Sequence, residues 1–200
     1  MLATTLEADP YLGRILTGRI TSGRVKPGQQ LKALARDGKV VEQFRVSKVL
    51  AFRGVERQPV EATEMGDIVA IAGMSEATVA DTLCDLAVDI PISAQPIDPP
   101  TLSMTFRIND GPLAGKEGDK VQSRVIRERL MKEAERNVAI KISFPEDADA
   151  FEVAGRGELQ LAILIENMRR EGFELTVSRP RVVMRTDETN GQKLEPVEEV

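Results

Sequence analysis

Three prolines fall within the seven residues AQPIDPP, Ala94 to Pro100, of this 200-residue chain. Proline fixes φ and has no amide to donate, so neither a helix nor a central strand can run through such a stretch. It reads as a semi-rigid linker. A chain of this length accommodates two domains, and the hydrophobic period changes across the linker.

Before it, short β-rich runs alternate with turn residues: GRILTGRI (13–20), QLKALA (30–35), KVVEQFRVSKVL (39–50) and DIVAIAG (67–73). The turns are Ser22-Gly23, Lys26-Pro27-Gly28, Asp37-Gly38 and Met65-Gly66-Asp67. Asp-Gly between two such runs predicts a type I′ hairpin, which needs positive φ at both central positions. Strands at this spacing predict a closed barrel or a sandwich, and a barrel removes the exposed edges. After the linker, TLSMTFRIN (101–109) reads as a strand and GKEGDKVQSRVIRERLMKEAERN (115–137) as a helix. In that helix Ile126, Leu130 and Ala134 recur every fourth residue, with Glu128–Lys132 and Arg129–Glu133 as i,i+4 pairs. VAIKISF (138–144), a turn at Pro145 to Asp149, AFEVAG (150–155), a helix from about Glu158 and FELTVSR (173–179) complete the order βαββαβ. That is the split-βαβ or ferredoxin-like pattern, with both helices on one face of a four-stranded antiparallel sheet. The expected organisation is a β-barrel at 1–95 and an α+β ferredoxin-like domain at 96–180. At 181–200 a strand, an Asn190-Gly191 turn and the start of its partner read as the start of a further α+β domain.

Histidine is absent. This excludes Ser-His-Asp and Cys-His nucleophilic sites, imidazole metal sites and a histidine general base. Cys84 stands alone, so no disulfide framework or thiolate cluster for zinc is available, and a reducing cytosol is the natural setting. The longest apolar run, Ile68 to Met74, falls far short of the roughly 18 residues of a membrane helix. Glu7 and Asp9 argue against a signal peptide. A net charge of −5 argues against a simple basic nucleic-acid-binding domain, and no DNA partner is expected, although a balanced domain can still carry local basic patches.

The stretch VAGRGELQ (153–160) invites a phosphate-loop reading, with Gly155, Arg156 and Gly157 before a helix. A dinucleotide loop needs a third glycine where Gln160 stands. Glu158 in the first turn already complements the helix dipole and would repel an anion. The structural reading leads: Gly155 ends the strand, Gly157 serves as N-cap or tolerates positive φ, and Leu161, Leu164, Ile165 and Met168 form a core stripe. Arg24, Lys26, Arg53, Arg57, Lys116 and Lys120 are solvated charges or phosphate contacts that orient without reading sequence. Arg169 and Arg170 match a helix C-terminus. With six Phe, one Tyr and no Trp, base stacking is disfavoured and the backbone of an RNA duplex is the better target. The acidic run Pro145 to Asp149 lacks the spacing of a calcium loop and reads as a turn, and no metal site is expected. The alternation around Arg181 to Arg185 reads as strand patterning.

GRITSGRVKPGQQL (18–31), GDIVAIAG (66–73) and TVADTLCD (78–85) resemble the second, β-barrel domain of translational GTPases. GRGELQLAILIENMRREGFEL followed by VSRPRVVMRT (177–186) resembles the third domain of the elongation factor G superfamily and the entry to the next. GKEGDKVQSR (115–124) and IENMRREGFEL (165–175) are similar to the TypA/BipA branch, a group of ribosome-associated GTPases. Two departures stand out. No P-loop, Asp-x-x-Gly or Asn-Lys-x-Asp is present, so the chain reads as an interior fragment without catalytic residues or cofactor of its own. GTP and Mg2+ are expected in the parent's GTPase domain. Gln160 stands where relatives often have His, which rules out proton transfer there. The resemblance implies a cytoplasmic ribosome-binding role in translation, ribosome assembly or stress response. The barrel would dock on small-subunit rRNA and proteins through Arg24, Lys26 and Arg53, and the ferredoxin-like domain would couple the GTPase domain to the rest. The alternative is a small-ligand-sensing regulatory module with no ribosomal role. An autonomous enzyme is the weakest reading, since no nucleophile–base pair is visible.

Overall fold

The computed structural model describes residues 1–54, 56–144, 150–186 and 191–196. The chain divides into two compact units, Met1–Ile97 and Asp98–Val200. The turn expected at Pro145 to Asp149 and Asn190 of the expected Asn190-Gly191 turn lie outside the described residues.

Unit one is built of β1 (Leu2–Asp9), β2 (Gly13–Arg19), β3 (Arg24–Val25), β4 (Gln30–Leu34), β5 (Val40–Arg45), β6 (Lys48–Arg53), β7 (Glu56–Pro59), β8 (Thr63–Glu64), β9 (Ile68–Met74) and β10 (Thr82–Cys84). Its main sheet runs β5-β4-β10-β1-β2-β9-β6-β7, while β3 and β8 form a separate ribbon. KVVEQFRVSKVL is two strands, not the single strand its composition predicts. The chain bends at Val46–Ser47, so that β5 pairs with β4 and β6 pairs with β9. This bend curls the sheet into a barrel-like ring, because β5 at one end of the path continues directly into β6 near the other end. The Ser47 N–H donates to the Ala72 carbonyl at 2.8 Å. Gly73 makes the corner possible: it sits at φ +127°, and a Cβ there would lie 2.3 Å from the Arg45 carbonyl oxygen. Only glycine tolerates both conditions. Inside the ring pack Leu16, Leu34, Val46, Val49, Val69 and Ile71, each fully buried. The hairpin at Asp37-Gly38 differs from the type I′ expectation. Gly38 has positive φ and Asp37 does not, and the loop closes through Ala35 and Lys39.

Unit two contains β11 (Leu102–Ile108), α1 (Ser123–Arg136), β12 (Lys141–Ser143), β13 (Ala150–Gly155), α2 (Glu158–Arg170), β14 (Leu175–Val177), β15 (Arg181–Val182), β16 (Arg185–Thr186) and β17 (Lys193–Leu194). The antiparallel sheet runs β12-β13-β11-β14, with β15 also on β11. Period-two alternation turns Met104, Phe106, Phe151 and Val153 inward, where they meet Ile126 and Leu130 of α1 and Leu161, Leu164 and Met168 of α2. The first helix begins at Ser123, later than the start at 115 that its sequence pattern predicts. Residues 115–122 form a loop wrapped around Glu174, whose carboxylate accepts the N–H groups of Gly115, Glu117 and Gly118 at 2.9 to 3.3 Å and the side-chain amide of Asn109. Burial opposes that charge, but these hydrogen bonds hold the carboxyl below its usual range.

Candidate functional site

Arg24 lies on β3, in register with Glu64 of β8, and its guanidinium meets that carboxylate at 3.2 Å in full solvent. An exposed pair of this kind is weak and exchanges readily for another anion. Lys26 opens the turn to Gln29, in which Gly28 takes φ +81°. The Lys26 N–H donates to Gln29 Oε1 at 3.2 Å, so the backbone is pinned while the side chain is exposed. Arg53 ends β6, opposite Glu56, at a hairpin tip where Gly54 has φ +63°. Arg24 and Arg53 stand on two different sheets of the unit and Lys26 in a turn, and the three do not line one pocket together.

Arg57 is engaged. It forms a two-pronged pair with Glu7 of β1, with Nη1 to Oε2 at 2.7 Å, and its guanidinium lies 5.0 Å from the Phe52 ring centre. The hydrogen bond from Arg57 holds the Glu7 carboxyl below its usual range, and Glu7 in turn raises the guanidinium. Arg57 thus ties the β6–β7 hairpin to β1. Lys120 is similarly held: its ammonium donates to the Glu171 carbonyl at 2.7 Å and sits 4.8 Å over the Phe173 ring. Lys116 projects from the exposed loop before α1.

The glycine motif is closed by its own helix. Gln160 Oε1 accepts the Arg156 N–H at 2.7 Å, and the Arg156 carbonyl accepts the Thr101 hydroxyl at 2.8 Å. A Cβ on Gly155 would lie 2.9 Å from that same Gln160 oxygen and 3.1 Å from Leu161 Cδ2. Gly157 is the N-cap in extended conformation, φ −172°, and Glu158 opens the helix. Gln160 therefore acts as an inside cap, satisfying a backbone donor just ahead of the helix. Glycine spacing alone did not show this role, though a Gln at the third helical position is the signal that could have found it. Partners across long sequence gaps, Glu7 for Arg57 and Glu171 for Lys120, were equally out of reach.

Unit one also contains a cleft of about 470 Å³, lined by Ile20, Arg24, Leu31, Ile71, Leu83 and Ile90 among others. Among the described residues no cluster of three or more metal-ligating side chains occurs, and no helix is long and apolar enough to cross a membrane.

Unit one is thus a barrel-like ring of short antiparallel strands, closed where the chain turns from β5 into β6, with cations on its periphery. The family model described as Elongation factor Tu domain 2 matches residues 13–84. Over its whole length the chain is similar to bacterial proteins that carry the name BipA. It is 49% identical over 200 residues to the "Large ribosomal subunit assembly factor BipA" of Escherichia coli (strain K12), and 44% identical over 195 residues to the protein of that name in Bacillus subtilis (strain 168). The match covers 100% and 98% of this chain respectively, but 32% and 31% of those relatives, so the chain spans about a third of their length. A crystal structure of a Thermus thermophilus protein aligns over 94% of this chain and 29% of its own, with a TM-score of 0.60 and 20% identity, a likeness of fold.

Proposed function

We propose that this chain is the docking and coupling part of a cytoplasmic TypA/BipA-like GTPase that binds the ribosome. The barrel would dock on small-subunit rRNA and ribosomal proteins. The second unit would be a ferredoxin-like domain equivalent to the third domain of elongation factor G, coupling the GTPase domain to the rest of the protein. The strand order β12-β13-β11-β14 around two helices supports that assignment. The name carried by the relatives supports work on large-subunit assembly. GTP and Mg2+ would bind the GTPase domain; no loop able to hold them occurs in this sequence, and the chain by itself neither binds nor hydrolyses GTP. The Gly155–Gln160 motif is structural in this reading.

The observation that carries the docking reading is the contrast among the six basic residues. Arg57 and Lys120 are held by close partners within the chain, Arg24 only by an exposed and readily exchanged pair with Glu64, and Lys26, Arg53 and Lys116 are exposed. Exposed cations on pinned turns suit phosphate contacts that orient a protein on RNA. In the intact protein, reversing charge at Arg24, Lys26 and Arg53 together lowers ribosome co-sedimentation, most of all at low salt, where phosphate contacts contribute most. Unchanged co-sedimentation across the salt series removes these residues from the interface.

A second reading, a small-ligand-sensing module, draws on the 470 Å³ cleft, whose size falls within the range of ligand pockets. A thermal-shift panel of metabolites tests it: a response lost in Leu83→Trp favours the sensor, and silence across the panel counts against it.

A further inference from the structure

The ladder between β11 and the C-terminal strands is broken in its middle. β14 pairs with one half of β11 through Phe106, Arg107 and Ile108, and β15 pairs with the other half through Leu102 and Ser103. Between them run Ser178, Arg179 and Pro180. Pro180 has no N–H to give the ladder, and the Ser178 side chain takes over. Its hydroxyl accepts the Thr105 N–H at 2.9 Å, while the Ser178 N–H donates to the Thr105 carbonyl at 2.9 Å. The interruption leaves a shallow recess of about 360 Å³, lined by Thr105, Arg107, Thr176, Val177, Ser178 and Arg181.

The recess opens on the face of the sheet away from the helices. Phe106 points into the core, so Arg107 beside it faces outward, as does Thr176 opposite it. Arg181, in register with Ser103, faces the same way at the other end of the break. Two exposed guanidiniums thus border one hydroxyl-lined floor, with exposed Arg179 in the intervening segment. Arg107 also interacts within the chain. Glu152 shares this face but lies on the opposite flank of β11, on β13, where it accepts the Ser103 hydroxyl at 3.1 Å. Lys141 on β12 extends the positive face, since it pairs with Ala154, which pairs in turn with Ser103.

We infer that this recess binds phosphates of an RNA backbone and forms a second RNA contact on the chain, separate from the barrel turns. The inference rests on the reading of the chain as an RNA-docking segment. Guanidiniums are matched to phosphate oxygens by their planar, forked donors. The recess is shallow and continuous with a flat polar face, which admits a passing strand. No aromatic side chain lines it, so it holds the backbone and leaves the bases unread.

The test is amide mapping by NMR on the full 200-residue chain, with a labelled RNA duplex and separately with inorganic phosphate, together with RNA affinity across a salt series. RNA shifts the Thr105 and Ser178 amides. In Arg107→Gln/Arg181→Gln the slope of log affinity against log salt falls by about 1.5, at roughly 0.7 to 0.9 per phosphate contact, equally for RNAs of different sequence. Arg181→Gln alone loses about half of that slope and Arg181→Lys restores most of it, which separates lost charge from lost fold. Shifts confined to the turns of Arg24, Lys26 and Arg53 overturn the sheet contact and leave the barrel docking intact; shifts confined to the sheet do the reverse. A response to inorganic phosphate without one to RNA overturns the proposal in favour of a small-anion site.

Discussion

Arg129 is held between two carboxylates. Its Nη1 lies 2.9 Å from Glu133, one turn along α1, and its Nε lies 2.7 Å from Glu171 at the end of α2; the side chain is 19% exposed. The hydrogen bond to Glu171 is the main cause that raises the guanidinium, and Arg129 in turn holds the Glu171 carboxyl below its ordinary range. A carboxyl depressed in the folded state contributes stability above its unfolded pKa and loses it as pH falls through the folded value. Charge-assisted hydrogen bonds of this kind contribute roughly 1.5 to 3 kcal/mol, less here because Glu171 is 40% exposed. Arg129→Met is therefore expected to cost about 1 to 2 kcal/mol at pH 7. The gap from the parent chain should narrow once pH drops below about 4.3, where unfolded glutamate protonates. Urea melts at pH 7, 5 and 3.5 measure both effects, and a gap that stays constant to pH 3.5 contradicts the assignment. Only half of this site was legible in the sequence. The i,i+4 partner Glu133 follows from helical spacing, but Glu171 is 42 residues away and reaches Arg129 only through packing of the two helices.

The same division recurs for the elements. Strands with clear turn punctuation, such as 67–73 and 150–155, are found within a residue or so of their expected limits. Expectation and structure part where a distant group decides the local form. The break at Val46–Ser47 depends on Gly73, and the loop 115–122 depends on Glu174; neither is visible within a local window. The start of α1 shows the consequence. Its N-cap is Gln122, with extended φ and ψ but no side-chain hydrogen bond to the helix, and no acidic residue occupies the first turn. Aspartate at an N-cap accepts a free amide and complements the dipole. Gln122→Asp is expected to stabilise the chain by about 0.5 to 1 kcal/mol, read as a higher urea midpoint with an unchanged slope. A lower midpoint would mean that Gln122 anchors the preceding loop in a way the cap geometry does not reveal.

At the scale of the molecule, the linker and the two cores predict independent folding. Met1–Ile97 closes its own barrel around Leu16, Leu34, Val49, Val69 and Ile71, and Asp98–Val200 packs two helices on its own sheet around Phe106, Leu130, Phe151, Leu161 and Met168. Each unit is about 100 residues, a size at which a single core commonly sustains a domain. Three prolines at the junction keep a helix or strand from running continuously between the units. Expressed separately, 1–97 and 98–200 should each unfold in one cooperative urea transition, with slopes that scale with the surface each exposes. The 98–200 segment should keep dispersed amide resonances for Phe106 and Met168. A collapsed, dye-binding state of either segment, regaining order only on mixing, would mean that one core is completed by the other. Independent folding would also separate the two RNA contacts experimentally, because the barrel turns and the sheet recess could then be titrated on separate polypeptides. The salt slope of the whole chain should approach the sum of the two segment slopes when both contacts engage one RNA at once.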